Sequence, residues 1–212
     1  MNATWKILGV LLLTAGVAHA KPSFTVQGQL GFNGTADADN SESEKLESDF
    51  GLMGTVEFPL SRQLRLGGRL AYEAADGADS KSAYSSVDAG VWARFVFVPG
   101  KFEFFGAGAL GLSYITLDPD NSTTDLTGQG FHFLMGAGAS YPVSRTARVI
   151  GGMYYSHHSG EPEGEVAGQT VKVDNGVLSR ILLTAGIMFE TFSSPFRHFR
   201  KTSASACDTG RR

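Results

Sequence analysis

Ser23-Phe24-Thr25-Val26-Gln27-Gly28-Gln29-Leu30-Gly31-Phe32 alternates apolar with small or polar residues at nearly every step. Successive side chains of a β-strand point to opposite faces. The segment therefore has a greasy face (Phe24, Val26, Gly28, Leu30, Phe32) and a wet one (Thr25, Gln27, Gln29, Gly31). The same split recurs along the chain and predicts eight strands, at about 23–33, 49–59, 64–74, 85–97, 101–115, 129–141, 147–158 and 177–192. Short turns at 59–63, 98–101 and 142–146 alternate with long polar loops at 34–48, 75–84, 116–128 and 159–176. Short turns at one end and long loops at the other, on strands with one apolar face, are the pattern of an antiparallel up-and-down transmembrane β-barrel. About ten residues tilted ~40° span ~25 Å, the height of an outer-membrane apolar band.

The N-terminus fits export. Lys6 is followed by the apolar run Ile7–Val17, too short to span a bilayer as a helix, and then by the small-x-small site Ala18-His19-Ala20. Residues 1–20 are expected to be a secretory signal peptide, 21–192 the barrel, and 193–212 a basic C-terminal tail without fixed structure. The chain carries −3 overall; without Lys6 it carries −4, and the tail alone carries +4, which leaves −8 on 21–192. A barrel this acidic is a poor match for nucleic acid. The single Cys207 allows no internal disulfide. The 27 glycines exceed the ~15 expected of an average domain of this length, and many lie inside predicted strands, where they permit curvature and close packing.

Carrying the alternation through the chain puts five acids on the wet face, Glu57, Glu73, Asp88, Glu103 and Glu190, and five bases, Arg65, Arg69, Arg94, Arg148 and Arg180. Trp92, Phe105, His132 and Tyr154 share that face. A sealed interior needs charge balance and hydrogen bonding, and eight strands enclose only enough space for side chains. The expectation is a plugged barrel with an interior ionic network, not a pore. A soluble barrel with the apolar list inside would carry abundant charge on its outer face. The sparse, balanced charges oppose it, and so do the aromatics near strand ends on the apolar face, which suit interfacial girdles.

One hairpin pattern occurs twice. Phe58-Pro59-Leu60-Ser61-Arg62, with Arg65, Gly68 and Tyr72, matches Tyr141-Pro142-Val143-Ser144-Arg145, with Arg148, Gly151 and Tyr155. A duplicated hairpin and two similar turns solving one steric problem both account for it.

The last strand, Thr184-Ala185-Gly186-Ile187-Met188-Phe189-Glu190-Thr191-Phe192, resembles the signal read by the outer-membrane assembly machinery, with Thr191 where a second aromatic is expected. With the export signal, the eight strands and the Gly-Ala-Gly-rich fifth and sixth strands, residues 21–192 resemble the OmpA/OmpX-like outer-membrane β-barrel superfamily of Gram-negative bacteria. The resemblance implies an outer-membrane protein with both termini periplasmic. It would be inserted by the barrel-assembly machinery, contact outer-membrane lipid and lipopolysaccharide, and remain a monomer. The implied role is non-enzymatic: envelope integrity or surface interaction through the extracellular loops.

The alternative is an enzyme. In Tyr154-Tyr155-Ser156-His157-His158-Ser159, His157 and Ser159 share the outward face, and a serine beside a histidine can deacylate a lipid. The pair resembles the His-x-Ser of PagL-type lipid A deacylases, with Gly160 where Asn usually follows. The acid of such a site would come from Glu161, Glu163, Glu165 or Asp174, none of which the pattern selects. His158 points inward on this register. The acidic stretches Asp37–Asp49 and Asp118–Asn121 lack the EF-hand spacing, so no metal and no cofactor is expected.

Overall fold

The computed structural model describes residues 21–37, 44–78, 82–118, 125–166, 169–173 and 176–191. The predicted signal peptide, the basic tail with Cys207, and parts of the long loops lie outside the described residues, as does Phe192.

Eight long strands form one antiparallel sheet: β1 Ser23–Asp37, β2 Glu44–Pro59, β3 Leu64–Gly77, β4 Ala83–Val98, β5 Glu103–Asp118, β6 Leu126–Pro142, β7 Ala147–Gly160 and β10 Gly176–Glu190. Each pairs with its sequence neighbours, and β1 pairs with β10 to close the barrel. A short hairpin, β8 Glu163–Val166 and β9 Gln169–Lys172, stands between β7 and β10 and touches β6 at Thr127↔Glu163. Alternation predicts only a loop at 159–176, because four-residue strands around a tight connection are too short to show a period.

Direct pairings traced once around the barrel climb steadily. From Thr25 they run through Thr55, Arg69, Gly90, Gly111, His132, His158 and Leu178, and return to β1 at Ala36. This stagger is what tilts the strands of a closed barrel. Near the top of β1 the register shifts between Phe32 and Thr35, where Asn33 takes φ 52°. Asparagine tolerates that left-handed conformation better than most residues.

The strands run beyond the predicted ends on the loop side, because outward polarity there breaks the alternation. The apolar outer band holds residues such as Leu30, Leu70, Val91, Leu112 and Met135. Above it the outward positions become Thr35 and Asp37 on β1, Ser85 on β4, Thr116 on β5, Gln129 on β6, His157 and Ser159 on β7, and Ser179 on β10. Aromatics pack against one another at the turn end: Phe95 with Phe97, and Phe102 with both Phe104 and Tyr141. No helix among the described residues is long and apolar enough to cross a membrane; the strands carry the apolar band.

The repeated hairpin is one turn used twice. Ser61 Oγ accepts from the amides of Gln63 and Leu64 at 3.2 and 2.9 Å. Ser144 Oγ accepts from those of Thr146 and Ala147 at 3.2 and 3.0 Å. The equivalent arginines, Arg65 and Arg148, both turn to Glu103.

Candidate functional site

The interior is built in tiers, and each of the ten predicted network residues lies inside it. At the turn end, Glu57 receives Arg94 Nη2 at 2.5 Å and Trp92 Nε1 at 2.7 Å. The Arg94 guanidinium lies 5.1 Å from the centroid of the Phe105 ring, a cation–π contact. Glu103 faces Arg148 at 3.4 Å and Arg65 at 4.0 Å, and Arg65 reaches Glu190 at 3.5 Å. Ser140 Oγ accepts from Arg148 Nε at 3.0 Å and donates to Glu103. Arg65 and Glu190 are the more exposed members, at the open turn-side rim. Three arginines meet three glutamates here.

Above lies an apolar cluster that includes Met53, Trp92, Phe105, Leu134, Ile150, Tyr154 and Leu182. Alternation puts Trp92, Phe105 and Tyr154 on the inward face, but it does not single out Met53, Leu134, Ile150 or Leu182. The period-2 pattern is blurred by Ile150, Leu182 and Met188, apolar residues on the inward side. Glycine makes room for the rings: a Cβ on Gly138 would lie 2.6 Å from Phe105 Cζ.

The second charged cluster is on the loop side. Arg69 Nη2 binds Glu73 Oε1 at 2.8 Å, and Arg69 Nη1 faces Asp88 at 3.7 Å. Arg180 binds Glu73 Oε2 through Nη2 and Asp49 Oδ2 through Nη1, the latter at 3.0 Å. His158 lies between two carboxylates, with Nδ1 3.3 Å from Asp88 and Nε2 3.4 Å from Glu73. Ser113 Oγ is 3.1 Å from His158 Nδ1, and Ser156 Oγ is 3.0 Å from Nε2. Among the described residues no ion pair joins the two clusters.

Asp49 corrects the five-to-five count. It sits inward because Gly31 opposes it across the β1–β2 pair; a Cβ there would be 2.0 Å from Asp49 Oδ2. Six acids now face five arginines, and the excess falls wholly on the loop side, where Asp49, Glu73 and Asp88 meet Arg69 and Arg180. The signal was present, since Asp49 stands an even number of residues before Glu57, on the same face. Its place at the end of an acidic loop disguised it.

At the loop-side mouth the filling turns apolar again. Leu46, Ala75 and Leu178 pack together with Ala36 and Tyr84 beside them. Tyr84 donates its hydroxyl to Glu44 Oε2 at 2.6 Å.

The candidate catalytic pair lies on the outer face, just above the apolar band. His157 and Ser159 share that face, as the alternation requires. The hydrogen-bond partner of His157 is on the next strand, however: its Nδ1 is 2.9 Å from Ser179 Oγ. Register explains this, since Ser179 is the direct cross-strand partner of His157, while Ser159 opposes Val177. Phe133 and Tyr155 flank the imidazole. Among the described residues no hydrogen bond joins His157 to a carboxylate. Asp174 lies outside the described residues, as does the side chain of Glu165. His158 is inward and fully buried.

Comparison with known proteins fits this architecture. Three solved outer-membrane barrels are similar in fold. Neisserial surface protein A, NspA, has a TM-score of 0.54 at 15% identity, over 80% of this chain and 97% of that one. AlkL in lipid bilayers has 0.55 at 10%, over 88% and 93%. OprG from Pseudomonas aeruginosa has 0.51 at 13%, over 82% and 98%. No curated protein matches the sequence. The family model described as the outer membrane protein beta-barrel domain matches residues 7–178. An eight-stranded closed barrel with an apolar outer band and a charged, packed interior is thus accounted for: the chain belongs to the outer-membrane β-barrel family, in keeping with its OmpA/OmpX-like sequence features.

Proposed function

We propose that the protein is a closed, non-enzymatic outer-membrane barrel that serves envelope integrity or surface interaction through its long loops. The observation that carries this is the filled interior, with two charged clusters, an apolar cluster touching both, and an apolar seal of Leu46, Ala75 and Leu178 at the mouth. In this proposal the short-turn end, where Thr191 donates its amide to the Pro22 carbonyl at 3.3 Å, faces the periplasm. The loops face outward, the barrel is monomeric, and its partners are membrane lipid and lipopolysaccharide. Planar-bilayer recording of the folded protein tests closure. Silence is expected, and stable nanosiemens-scale steps would contradict it.

A lipid A deacylase is the second reading. The close His157–Ser179 contact on the lipid-facing rim favours it. His157 would take a proton from Ser159 or Ser179, whose oxygen would attack an acyl ester. Mass spectrometry of lipid A from cells with and without the protein separates the two readings. Loss of one acyl chain, abolished by His157→Ala, would establish the enzyme; unchanged lipid A supports the non-enzymatic barrel.

A further inference from the structure

Counted on arginine and carboxylate alone, the loop-side cluster is one positive charge short, and two histidines meet there. His132 on β6 and His158 on β7 are direct cross-strand partners, both inward and buried, with ring centroids 4.6 Å apart. Cross-strand pairs on one face stand close enough to act on a single ligand. Glu73 from β3 and Asp88 from β4 meet them inside the barrel. One ligand atom from each of these four residues lies within 4.8 Å of the other three. Asp88 is fully buried, yet neither of its oxygens accepts a hydrogen bond of good geometry. Its cationic neighbours, His158 Nδ1 at 3.3 Å and Arg69 Nη1 at 3.7 Å, stand outside good hydrogen-bond geometry, so its lost hydration is only partly compensated.

We propose that Glu73, Asp88, His132 and His158 form a binding site for one divalent transition-metal ion of the zinc class. Two imidazoles with two carboxylates suit zinc, cobalt or nickel, whereas calcium and magnesium require more oxygen ligands. Donor atoms around a tetrahedral zinc stand roughly 3.3 Å apart, given metal–ligand distances near 2.0–2.2 Å. Side-chain rotations of about an ångström draw the quartet in. Ser113 and Ser156 flank opposite nitrogens of His158, so whichever nitrogen binds the ion, a hydroxyl is placed to hold the other. Arg69 is the group that must give way. Its Nη1 lies 3.4 Å from His132 Nδ1, while its bond to Glu73 is made through Nη2. Moving Nη1 means turning the rigid guanidinium about its Nη2–Glu73 bond, which gives up the Nε contact to Met53 Sδ at 3.1 Å and the approach of Nη1 to Asp88 at 3.7 Å. A divalent ion takes the count of carboxylates and arginines from −1 to +1, and it offers Asp88 a closer partner than His158 at 3.3 Å or Arg69 at 3.7 Å. The four ligands lie on four different strands, which leaves no local spacing for a sequence motif.

The test uses the protein without a polyhistidine tag, folded in detergent micelles and stripped with a chelator. Titration with Co²⁺ is expected to give one equivalent of a visible spectrum typical of four-coordinate nitrogen and oxygen ligation. Zn²⁺ should displace the Co²⁺ and raise the thermal midpoint. Asp88→Asn and His132→Gln should each weaken Co²⁺ binding by at least about tenfold, while His157→Gln, on the outer face, leaves it unchanged. If His132→Gln does not fold, Asp88→Asn and the wild-type titration still decide. Absence of a Co²⁺ spectrum, or binding that survives Asp88→Asn undiminished, overturns the site, and the missing charge is then a proton on His158.

Discussion

The two charged clusters use the same residue types on the same scaffold and differ in balance. On the turn side, Arg65, Arg94 and Arg148 answer Glu57, Glu103 and Glu190 one for one, and the rim members Arg65 and Glu190 keep partial contact with solvent. On the loop side, Asp49, Glu73 and Asp88 share Arg69 and Arg180, all nearly or fully enclosed. Burial of charge costs several kcal/mol per ion unless it is paired. The turn-side cluster meets that requirement with arginine alone, as expected of a structural plug. The loop-side cluster does not, and it holds both buried histidines, the groups able to take up a further cation. A charge count that reads as neutral along the sequence can thus hide an acid excess confined to one end of the barrel.

Removal of an arginine should expose the asymmetry most strongly. Arg180→Ala leaves Asp49 without its partner and Glu73 with one arginine, in a cluster already short of positive charge. It should lose about 3–5 kcal/mol, or fail to fold, in urea unfolding from lipid vesicles followed by gel shift. Arg94→Ala strands Glu57 alone, with Trp92 still donating to it, and should lose about 3 kcal/mol by the same assay. Equal losses would mean that the clusters are not distinct. A smaller effect is expected from Gly31→Ala. The added methyl must push Asp49 from its place against Arg180, at a cost of roughly 1–3 kcal/mol for overpacking. The second substitution Asp49→Ala should relieve only part of that loss, because the Cβ of residue 49 would itself lie 2.6 Å from the added methyl; Asp49→Gly should relieve more. Smallest are Ser61→Ala and Ser144→Ala, each expected to cost about 1 kcal/mol through two lost hydrogen bonds in an exposed turn. The two should match, because the turns match; a large difference would show that the repeat is one of sequence only.

Much of the fold was legible because a membrane barrel writes its two faces in alternate residues. Glu57, Arg69, Glu73, Asp88, Arg94 and Arg180 all point inward as their parity requires. Parity assigns a face but no partner. Glu73 and Arg180 meet although they lie far apart in the chain, a contact that depends on barrel closure and stagger. The strand tops were missed because Thr35, Thr116 and Ser159 are polar on the outer face, where the strands rise past the apolar band. Asp49 was missed because a strand end inside an acidic run has no contrast with its loop. At the rim, the face of His157 and Ser159 was readable from alternation, but the partner of His157 was set by register with β10, which placed Ser179 opposite it.

The most direct measurement is the stability of two acid-to-amide variants, Asp49→Asn and Glu57→Gln, unfolded side by side in the presence of a chelator. Asp49→Asn removes the excess charge of the loop-side cluster and leaves Arg180 on Glu73, so stability should stay within about 1 kcal/mol of wild type or rise. Glu57→Gln leaves the enclosed Arg94 without a counter-charge and should cost about 3–5 kcal/mol. Equal destabilisation by the two variants, or a greater loss from Asp49→Asn, would contradict an interior that is balanced at one end and acid-rich at the other.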